Sequence, residues 1–330
     1  MTLPLQPPIA PELALSRKTL PVGDGYSYEV KLDGFRAVAF VDGDELFLQS
    51  RNGRPLARYF PELRFPPGRY VLDGEIVVRG ANGREDFDAL GQRVHPAASR
   101  IQRLSIETPA AYVAFDLLAR DDTVLIERPF AERRAALEAL LSSATAGGRA
   151  GAEQSSGAPT SVELIRAVDT AAEAEHWLRD AEGVIAKERS APYLPGQRRG
   201  MVKIKRTRTI DAVVVGWRPG KEERTVGALI LGLYDDGELR VVGHCSGLTT
   251  KDKRALVERL APFQTGERGS ADPSRWSAGR DLEWVALRPE LVVEIDFDHV
   301  SAGRIRHGAK LRRWREDKPP RECTFDQLSS

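Results

Sequence analysis

Tight-turn signals at short intervals are the feature that most constrains the fold of this chain. Between Tyr26 and Val78, short apolar runs rich in strand-forming residues are separated by residue pairs that favour turns. These pairs are Asp33-Gly34, Asp42-Gly43, Asn52-Gly53, Pro66-Pro67-Gly68 and Asp73-Gly74. The spacing predicts short strands joined into antiparallel sheets.

Helical segments follow these strands and give the first domain an α+β character. Helices are expected near 87–93 and over 129–141, with a strand at 111–118 between them. Residues 142–161 are small and polar without apolar periodicity, which predicts a disordered surface insertion rather than a domain boundary. A helical pattern at 171–181 and a strand at 183–188 then resume the same domain.

The last third of the chain has a different pattern and predicts a second domain. Strands at 211–220, 227–247 and 291–301 surround one helix at 250–263. Strands, a helix and further strands are typical of a small Greek-key barrel of the OB type, and an SH3-like barrel is the alternative. The predicted fold is therefore α+β with two domains, residues 1–207 and 208–330.

Composition and charge limit the classes of function. The hydrophobic fraction is 41%, enough for a core in each domain, and no apolar window is long enough for a membrane span. The two cysteines, Cys245 and Cys323, fit neither a disulfide framework nor a metal-ligand spacing, so a reducing, cytoplasmic compartment is expected. The net charge is +1, so attraction of a polyanion requires local clusters of basic residues.

Two such basic clusters occur, at 198–208 and at 304–318. A lone basic run is ordinarily a solvated surface. Within the first cluster, however, Lys203-Ile204-Lys205 alternates in strand register, which directs both lysines to one side.

A single lysine in the segment EVKLDGFRAVAF, residues 29–40, raises the question of chemistry. Taken alone, this segment is a plain hairpin and Lys31 a solvated strand residue. Other polar residues stand where packing does not require them, and one aromatic residue, Phe115, accompanies them. The polar residues are Arg51 in SRNG, Asp73 and Glu75 in LDGEIVV, Asp116 beside Phe115 in AYVAFDLL, and Glu182 and Lys187 in EGVIAK. Together they supply an amine, cations, an aromatic ring and carboxylates, as attack of lysine on a nucleotide phosphate requires.

These motifs, in this order, resemble the covalent nucleotidyltransferase superfamily. The closest match within it is the ATP-dependent DNA ligases, since RWREDK at 313–318 is similar to the last ligase motif, which lies in their OB domain. The resemblance extends from about residue 26 to 320. The chain resembles the compact stand-alone bacterial ligases of the LigC type. This resemblance implies an adenylation domain followed by an OB domain.

The resemblance also implies a role for each matching residue. Lys31 would attack the α-phosphorus of ATP and form a covalent lysyl-AMP. A free lysine has a pKa of about 10.4, and neighbouring cations would lower it. Lys203 and Lys205 would contact the α-phosphate, and Asp33 would act at the strand end of the nick. The implied nucleotide-binding set is Glu29, Lys31, Arg36, Arg51, Glu75, Phe115, Lys187, Lys203, Lys205, Arg315 and Lys318.

Within that set the resemblance distinguishes several tasks. Glu75 would hold the ribose hydroxyls, Phe115 would stack on adenine and the segment of Glu29 would read the adenine edge. Arg36 and Arg51 would contact nucleotide or DNA-end phosphate. Glu182, with Glu75, would bind Mg²⁺ or Mn²⁺. Arg315, Asp317 and Lys318 would orient pyrophosphate, whereas Trp314 and Glu316 in the same motif have no sequence-based interpretation.

The expected partner is nicked duplex DNA, with other DNA repair proteins as further candidates and a monomeric state. Two alternatives share the first chemical step: an RNA ligase, and a capping guanylyltransferase that would use GTP. A third alternative is a DNA-binding OB protein without activity, which predicts loss of Lys31, Glu75, Glu182, Lys203 or Lys205. All five residues are present.

Overall fold

The chain divides into two compact units, Met1–Arg206 and Thr207–Ser330, one residue before the division expected from the sequence. In the described part of the chain, no helix combines the length and apolarity of a membrane span. A computed structural model of the 330-residue chain describes residues 1–94, 97–150, 161–269, 283–298, 300–301, 303–306 and 308–329.

Two sheets form the first unit. One has the strand order β1-β11-β10-β2-β9, and the other has the order β4-β3-β5-β6-β7 with β8 parallel to β6. The sheets share an apolar core to which Val77 and Val113 contribute from the second sheet and Val184 and Val202 from the first. The strands are β1 (Leu15–Ser16), β2 (Tyr26–Val30), β3 (Phe35–Asp42), β4 (Glu45–Ser50), β5 (Arg69–Val78), β6 (Ala110–Arg120), β7 (Thr123–Val124), β8 (Val162–Leu164), β9 (Ala167–Val168), β10 (Gly183–Glu188) and β11 (Met201–Lys205).

The segment from Lys31 to Gly34 crosses from one sheet to the other, so the plain-hairpin alternative is wrong. β2 pairs with β10 and β9, whereas β3 pairs with β4 and β5. A Cβ atom on Gly34 would lie 2.3 Å from the carbonyl oxygen of Ile76, so the crossing has no space for any side chain. Gly34 is therefore required by close packing.

Helices cover the second sheet on the face away from the first. Leu90 of α1, Ile101 of α2 and Leu137 of α3 share one core with residues of β3 and β5. The sequence did not predict α2. The helices of this unit are α1 (Phe87–Gly91), α2 (Ala98–Glu107), α3 (Phe130–Ala150), α4 (Ala171–Ala174) and α5 (Trp177–Asp180).

The prediction of a disordered insertion at 142–161 is wrong at both of its ends. α3 continues to Ala150 instead of ending at Leu141. At the other end, the Ser161 hydroxyl accepts a hydrogen bond from the Arg64 N–H at 2.6 Å. Small residues such as the alanines of 142–150 are compatible with a helix even without an apolar stripe. Residues 151–160 lie outside the described residues.

The second unit contains a closed five-stranded ring. Its strands pair in the order β12-β13-β14-β20-β17 and back to β12, with β14 and β20 parallel and α6 between β14 and β17 in the chain. This is an OB-type barrel, and the SH3-like alternative is set aside. The elements are β12 (Arg208–Pro219), β13 (Val226–Asp235), β14 (Glu238–Gly247), α6 (Thr250–Leu260), β15 (Gln264–Gly269), β16 (Trp284–Leu287), β17 (Val292–Phe297), β18 (Val300–Ser301), β19 (Arg304–Ile305) and β20 (Ala309–Trp314).

Candidate nucleotide-binding site

A cavity of about 220 Å³ in the first unit collects most of the predicted site residues. Both sheets contribute to its lining, and the N-terminal segment 11–14 closes part of it. The apolar part of the lining includes Ile165, Ile185 and Met201. The predicted residues that line it are Glu29, Lys31, Arg36, Arg51, Glu75, Phe115, Lys187 and Lys203.

Lys31 lies directly after β2, at the crossing between the sheets. Its Nζ atom is 3.5 Å from a carboxylate oxygen of Glu182 and 3.4 Å from the carbonyl oxygen of Leu32. The side chain keeps 18% of its exposure. Both contacts are at the long end of hydrogen-bond distances, so the amine is held near Glu182 but can move to a ligand.

The backbone conformation and close packing after Glu182 require a glycine, Gly183. Its φ is +138°, and a Cβ atom there would lie 2.1 Å from the carbonyl oxygen of Ile204. The close approach joins the start of β10 to β11, where Gly183 is the register partner of Lys205. This packing fixes Glu182 beside Lys31.

Lys203 and Lys205 share one side of β11, as the alternation predicts. Lys203 lines the cavity, and Lys205 is outside the cavity lining. Burial lowers the pKa of Lys203, and the positive charges of Lys205, Lys31, Arg198 and Arg51 lower it further. A cluster of cations that repel one another is a site built for an anion such as phosphate.

Arg36 is oriented by a buried carboxylate. Its Nε and Nη2 atoms donate to the two oxygens of Asp73 at 2.9 and 2.6 Å, and its guanidinium carbon lies 4.9 Å from the centre of the Phe115 ring. Asp73 has no solvent exposure. A bidentate pair fixes the plane of the guanidinium, so Arg36 faces the cavity in one orientation.

Glu29 and Lys187 form a buried ion pair at the cavity wall. The Lys187 Nζ atom lies 2.9 Å from a Glu29 oxygen and donates to the carbonyl oxygen of Phe115 at 2.8 Å. Burial raises the pKa of Glu29, while Lys187 and Arg134 act in the opposite direction. Lys187 thus has a partner on each side and holds Glu29 and the Phe115 segment in place.

Glu75 is half-buried and lies opposite Arg36 across β3 and β5. Burial raises its pKa to about 7, although Arg36 and Lys31 lower it. Near neutral pH its carboxyl group therefore exists in both protonation states, and either state can accept a hydrogen bond from a hydroxyl group.

The predicted metal ligands do not form a complete metal site by themselves. Within the described ranges, no three His, Cys, Asp or Glu side chains converge as metal ligands. Mg²⁺ commonly takes one or two carboxylates and completes its shell with phosphate oxygens and water. The Glu182 carboxylate, 17% exposed beside Lys31, fits that requirement. Asp33 is outside the cavity lining.

Arg315 and Lys318 lie in the second unit, and both are paired with carboxylates. Arg315 donates two bonds to Asp211 and two to Asp317, all at 2.9 Å. Lys318 lies 2.7 Å from an oxygen of Glu322. Any anion that binds Arg315 or Lys318 must compete with these carboxylates.

The two uninterpreted residues of the last motif have a structural role. The guanidinium carbon of Arg259 on α6 lies 4.1 Å from the centre of the Trp314 ring. The same arginine donates to Glu316 at 3.2 Å. Trp314 and Glu316 therefore attach the motif to α6 through a cation–π contact and an ion pair.

Sequence reasoning missed the contribution of the N-terminal segment. Pro11, Leu13 and Ala14 line the cavity, and β1 pairs in parallel with β11 next to Lys203. Glu12 lies between these residues and is 3% exposed. A single acid in the apolar run of residues 9–15 was the only available signal.

Glu12 predicts a specific pH dependence of stability. Burial raises its pKa from 4.5 to about 8, with Asp116 adding to the effect and Arg133 and Lys187 opposing it. Between these two values the folded chain retains a proton that the unfolded chain releases, so stability falls as pH rises. In this pH range the effect lowers the free energy of unfolding by up to about 1.4 kcal/mol per pH unit. We expect Glu12→Gln to remove this pH-dependent loss.

Urea unfolding of both proteins at pH 5.5 and pH 8.5 measures this effect. The variant should gain most at the higher pH. An equal gain at both pH values would contradict the assignment, and Glu132→Gln, at an exposed position on α3, serves as the control.

Comparison with known proteins places these features in a family. The model of the ATP dependent DNA ligase domain matches residues 10–205, and that of the ATP dependent DNA ligase C terminal region matches residues 222–318. DNA ligase C1 of Mycolicibacterium smegmatis is 43% identical, covering 100% of this chain and 96% of the relative. DNA ligase C of Mycobacterium tuberculosis is 42% identical over 99% of this chain and 96% of its own.

A solved structure agrees with this relationship. Mycobacterial DNA ligase D complexed with ATP and MES has a TM-score of 0.52 and 28% identity, covering 96% of this chain and 98% of that chain. The match of the first family model covers the cavity and the whole Lys31 to Lys205 motif series. The chain belongs to the ATP-dependent DNA ligases.

Proposed function

We propose that this ligase seals nicks between a 5′-phosphate and a 3′-hydroxyl in duplex DNA, with Lys31 as the nucleophile. The observation that carries the proposal is the convergence of Lys31, Lys203 and the Phe115 ring at one cavity. Glu182 lies outside the cavity lining, 3.5 Å from the Lys31 amine. An amine held only by two long contacts, a neighbouring carboxylate and several cations beside an apolar wall fit a nucleoside triphosphate.

In the first step, the Lys31 amine attacks the α-phosphorus of ATP. A bond forms between Nζ and phosphorus, and the bond from phosphorus to the pyrophosphate oxygen breaks. Glu182, 3.5 Å from Nζ, holds the amine near the reacting phosphorus. Lys203 stabilises the charge that develops on the α-phosphate. Burial lowers the pKa of Lys203, and the surrounding cations lower it further.

Recognition of the nucleoside follows from the cavity wall. Phe115 stacks on adenine, the Glu29 segment faces its edge, and Glu75 accepts hydrogen bonds from the ribose hydroxyls. Glu182 and Glu75 would hold Mg²⁺ or Mn²⁺, which supplies charge neutralisation for the phosphates. Arg36 and Arg51 bind phosphate oxygens of the nucleotide or of the DNA end.

The second step consumes the covalent lysyl-AMP, and the third step uses the DNA-adenylate that the second step forms. The DNA 5′-phosphate takes AMP from Lys31, and the 3′-hydroxyl, positioned by Asp33, then attacks that phosphate and releases AMP. Arg315, Asp317 and Lys318 orient pyrophosphate in the first step. A bacterial cytoplasmic location, a monomeric state and recruitment by repair proteins stay predictions from the sequence.

Labelling with α-labelled ATP or GTP tests this function against its alternatives. The purified chain, with Mg²⁺, should retain label from ATP after denaturation. A chase with nicked duplex DNA should release that label as the nick closes. Labelling from GTP would favour a capping enzyme, release only by nicked RNA would favour an RNA ligase, and absence of label would contradict the proposal.

A further inference from the structure

A buried tyrosine that no sequence motif contains connects three distant parts of the chain at the cavity. The main-chain N–H of Glu12 donates to the Tyr193 hydroxyl at 3.0 Å, and this hydroxyl donates to an oxygen of Asp73 at 2.6 Å. Asp73 in turn accepts both bonds from Arg36. The result is a continuous hydrogen-bonded chain from the N-terminal segment to a cavity-lining arginine.

The Tyr193 hydroxyl completes the hydrogen bonding of a carboxylate that has no contact with water. Asp73 is 0% exposed and Tyr193 is 2% exposed. The Asp73 oxygen that Tyr193 contacts is the one that accepts from Arg36 Nη2 at 2.6 Å. The phenol and the arginine therefore act together on one oxygen, and both orient the carboxylate.

The orientation of Asp73 decides which atoms of Arg36 remain for a ligand. Arg36 uses Nε and Nη2 for Asp73, and its Nη1 atom has no hydrogen-bond partner among the described residues. Arg36 lines the cavity, so Nη1 remains for a ligand there. The position of Phe115 below the guanidinium restricts its tilt. A rotation of the Asp73 carboxylate would turn Nη1 with it.

We propose that Tyr193 is a positioning residue, which holds Asp73 so that Arg36 presents its free edge to a phosphate group in the cavity. The inference rests on the proposed function, since it assigns to Arg36 a contact with an anionic part of the nucleotide. The N-terminal segment participates because the Glu12 N–H fixes the direction in which the phenol donates.

The Tyr193 ring has a separate, structural role, and the two roles can be distinguished. The ring belongs to a core cluster with Leu3, Val38 and Phe40 and lies 5.7 Å from the Arg133 guanidinium. Tyr193→Phe keeps this packing and removes only the hydroxyl group. We expect the rate of Lys31 labelling at limiting ATP to fall about tenfold, as loss of a hydrogen bond to a charged group predicts.

A double-mutant cycle with Arg36→Ala supplies a readout that a purely structural role would not change. If Tyr193 acts through Arg36, Tyr193→Phe should have no further effect on labelling in the Arg36→Ala background. Tyr70→Phe is the matched control, because Tyr70 is 1% exposed and its hydroxyl donates to the carbonyl oxygen of Pro66, outside the cavity lining.

Each outcome separates this inference from the proposed function. Absence of labelling in the unaltered chain would overturn the proposed function. Labelling of the unaltered chain together with a Tyr193→Phe variant of full activity would overturn the positioning role alone. An equal loss in Tyr70→Phe, or an additive loss in the Arg36→Ala background, would also overturn it.

Discussion

Replacing Lys31 with alanine is expected to abolish covalent labelling by ATP completely. Alanine removes the only atom that the proposed first step joins to phosphorus. Lys31→Arg should be equally inactive, because arginine keeps the positive charge but holds its proton at neutral pH. Gel analysis of denatured protein after incubation with α-labelled ATP measures the loss.

The Lys31→Ala variant should retain part of its activity in the last step, the sealing of an adenylated nick. A nick that already carries a 5′-adenylate needs no attack by Lys31, so Lys31→Ala should still seal it. Lys18→Ala, at an exposed lysine, is the control for removal of a charge. Persistent label in Lys31→Ala would contradict the assignment and direct attention to Lys203 and Lys205, the other amines of the predicted catalytic set.

Replacing Asp116 with alanine is expected to cause the largest loss of stability in the first unit. Asp116 accepts two bonds from Arg133, at 2.8 and 2.9 Å, and both side chains are 2% exposed. Removing one partner leaves a buried, uncompensated charge, which costs about 3–5 kcal/mol. Urea unfolding of the variant and the unaltered chain measures the difference.

Two comparisons make this prediction specific. The double variant Asp116→Ala and Arg133→Met should recover part of the loss, because it removes the stranded charge. Glu163→Ala should cost at most about 1 kcal/mol, because its ion pair with Arg79 is exposed. A loss below about 1 kcal/mol in Asp116→Ala would show that the buried pair contributes little.

Asp116 also shows that a sequence motif predicts a strand but not the role of each residue in it. The sequence indicated a strand with Phe115 and Asp116 side by side, and β6 confirms the strand. Successive strand residues point to opposite faces. Phe115 lines the cavity, whereas Asp116 pairs with Arg133 of α3. One residue of the motif thus belongs to the site and its neighbour anchors a helix.

Local patterns determined the residue types and many of the elements. The alternation of Lys203 and Lys205 and the turn at Asp42-Gly43 were readable because strand periodicity and tight turns depend on a few neighbouring residues. The order of the motifs also sufficed to identify the ligase family.

Tertiary structure decided the rest, because burial and strand pairing join segments that are far apart in the chain. The sequence could not show that β2 and β3 belong to different sheets, since either pairing satisfies the same local pattern. It could not show that Tyr193 lies between Glu12 and Asp73, which are separated from it by 181 and 120 residues. A hydrogen bond between buried groups exists only where the whole fold brings them together, so the partners of the site residues were decided by the structure alone.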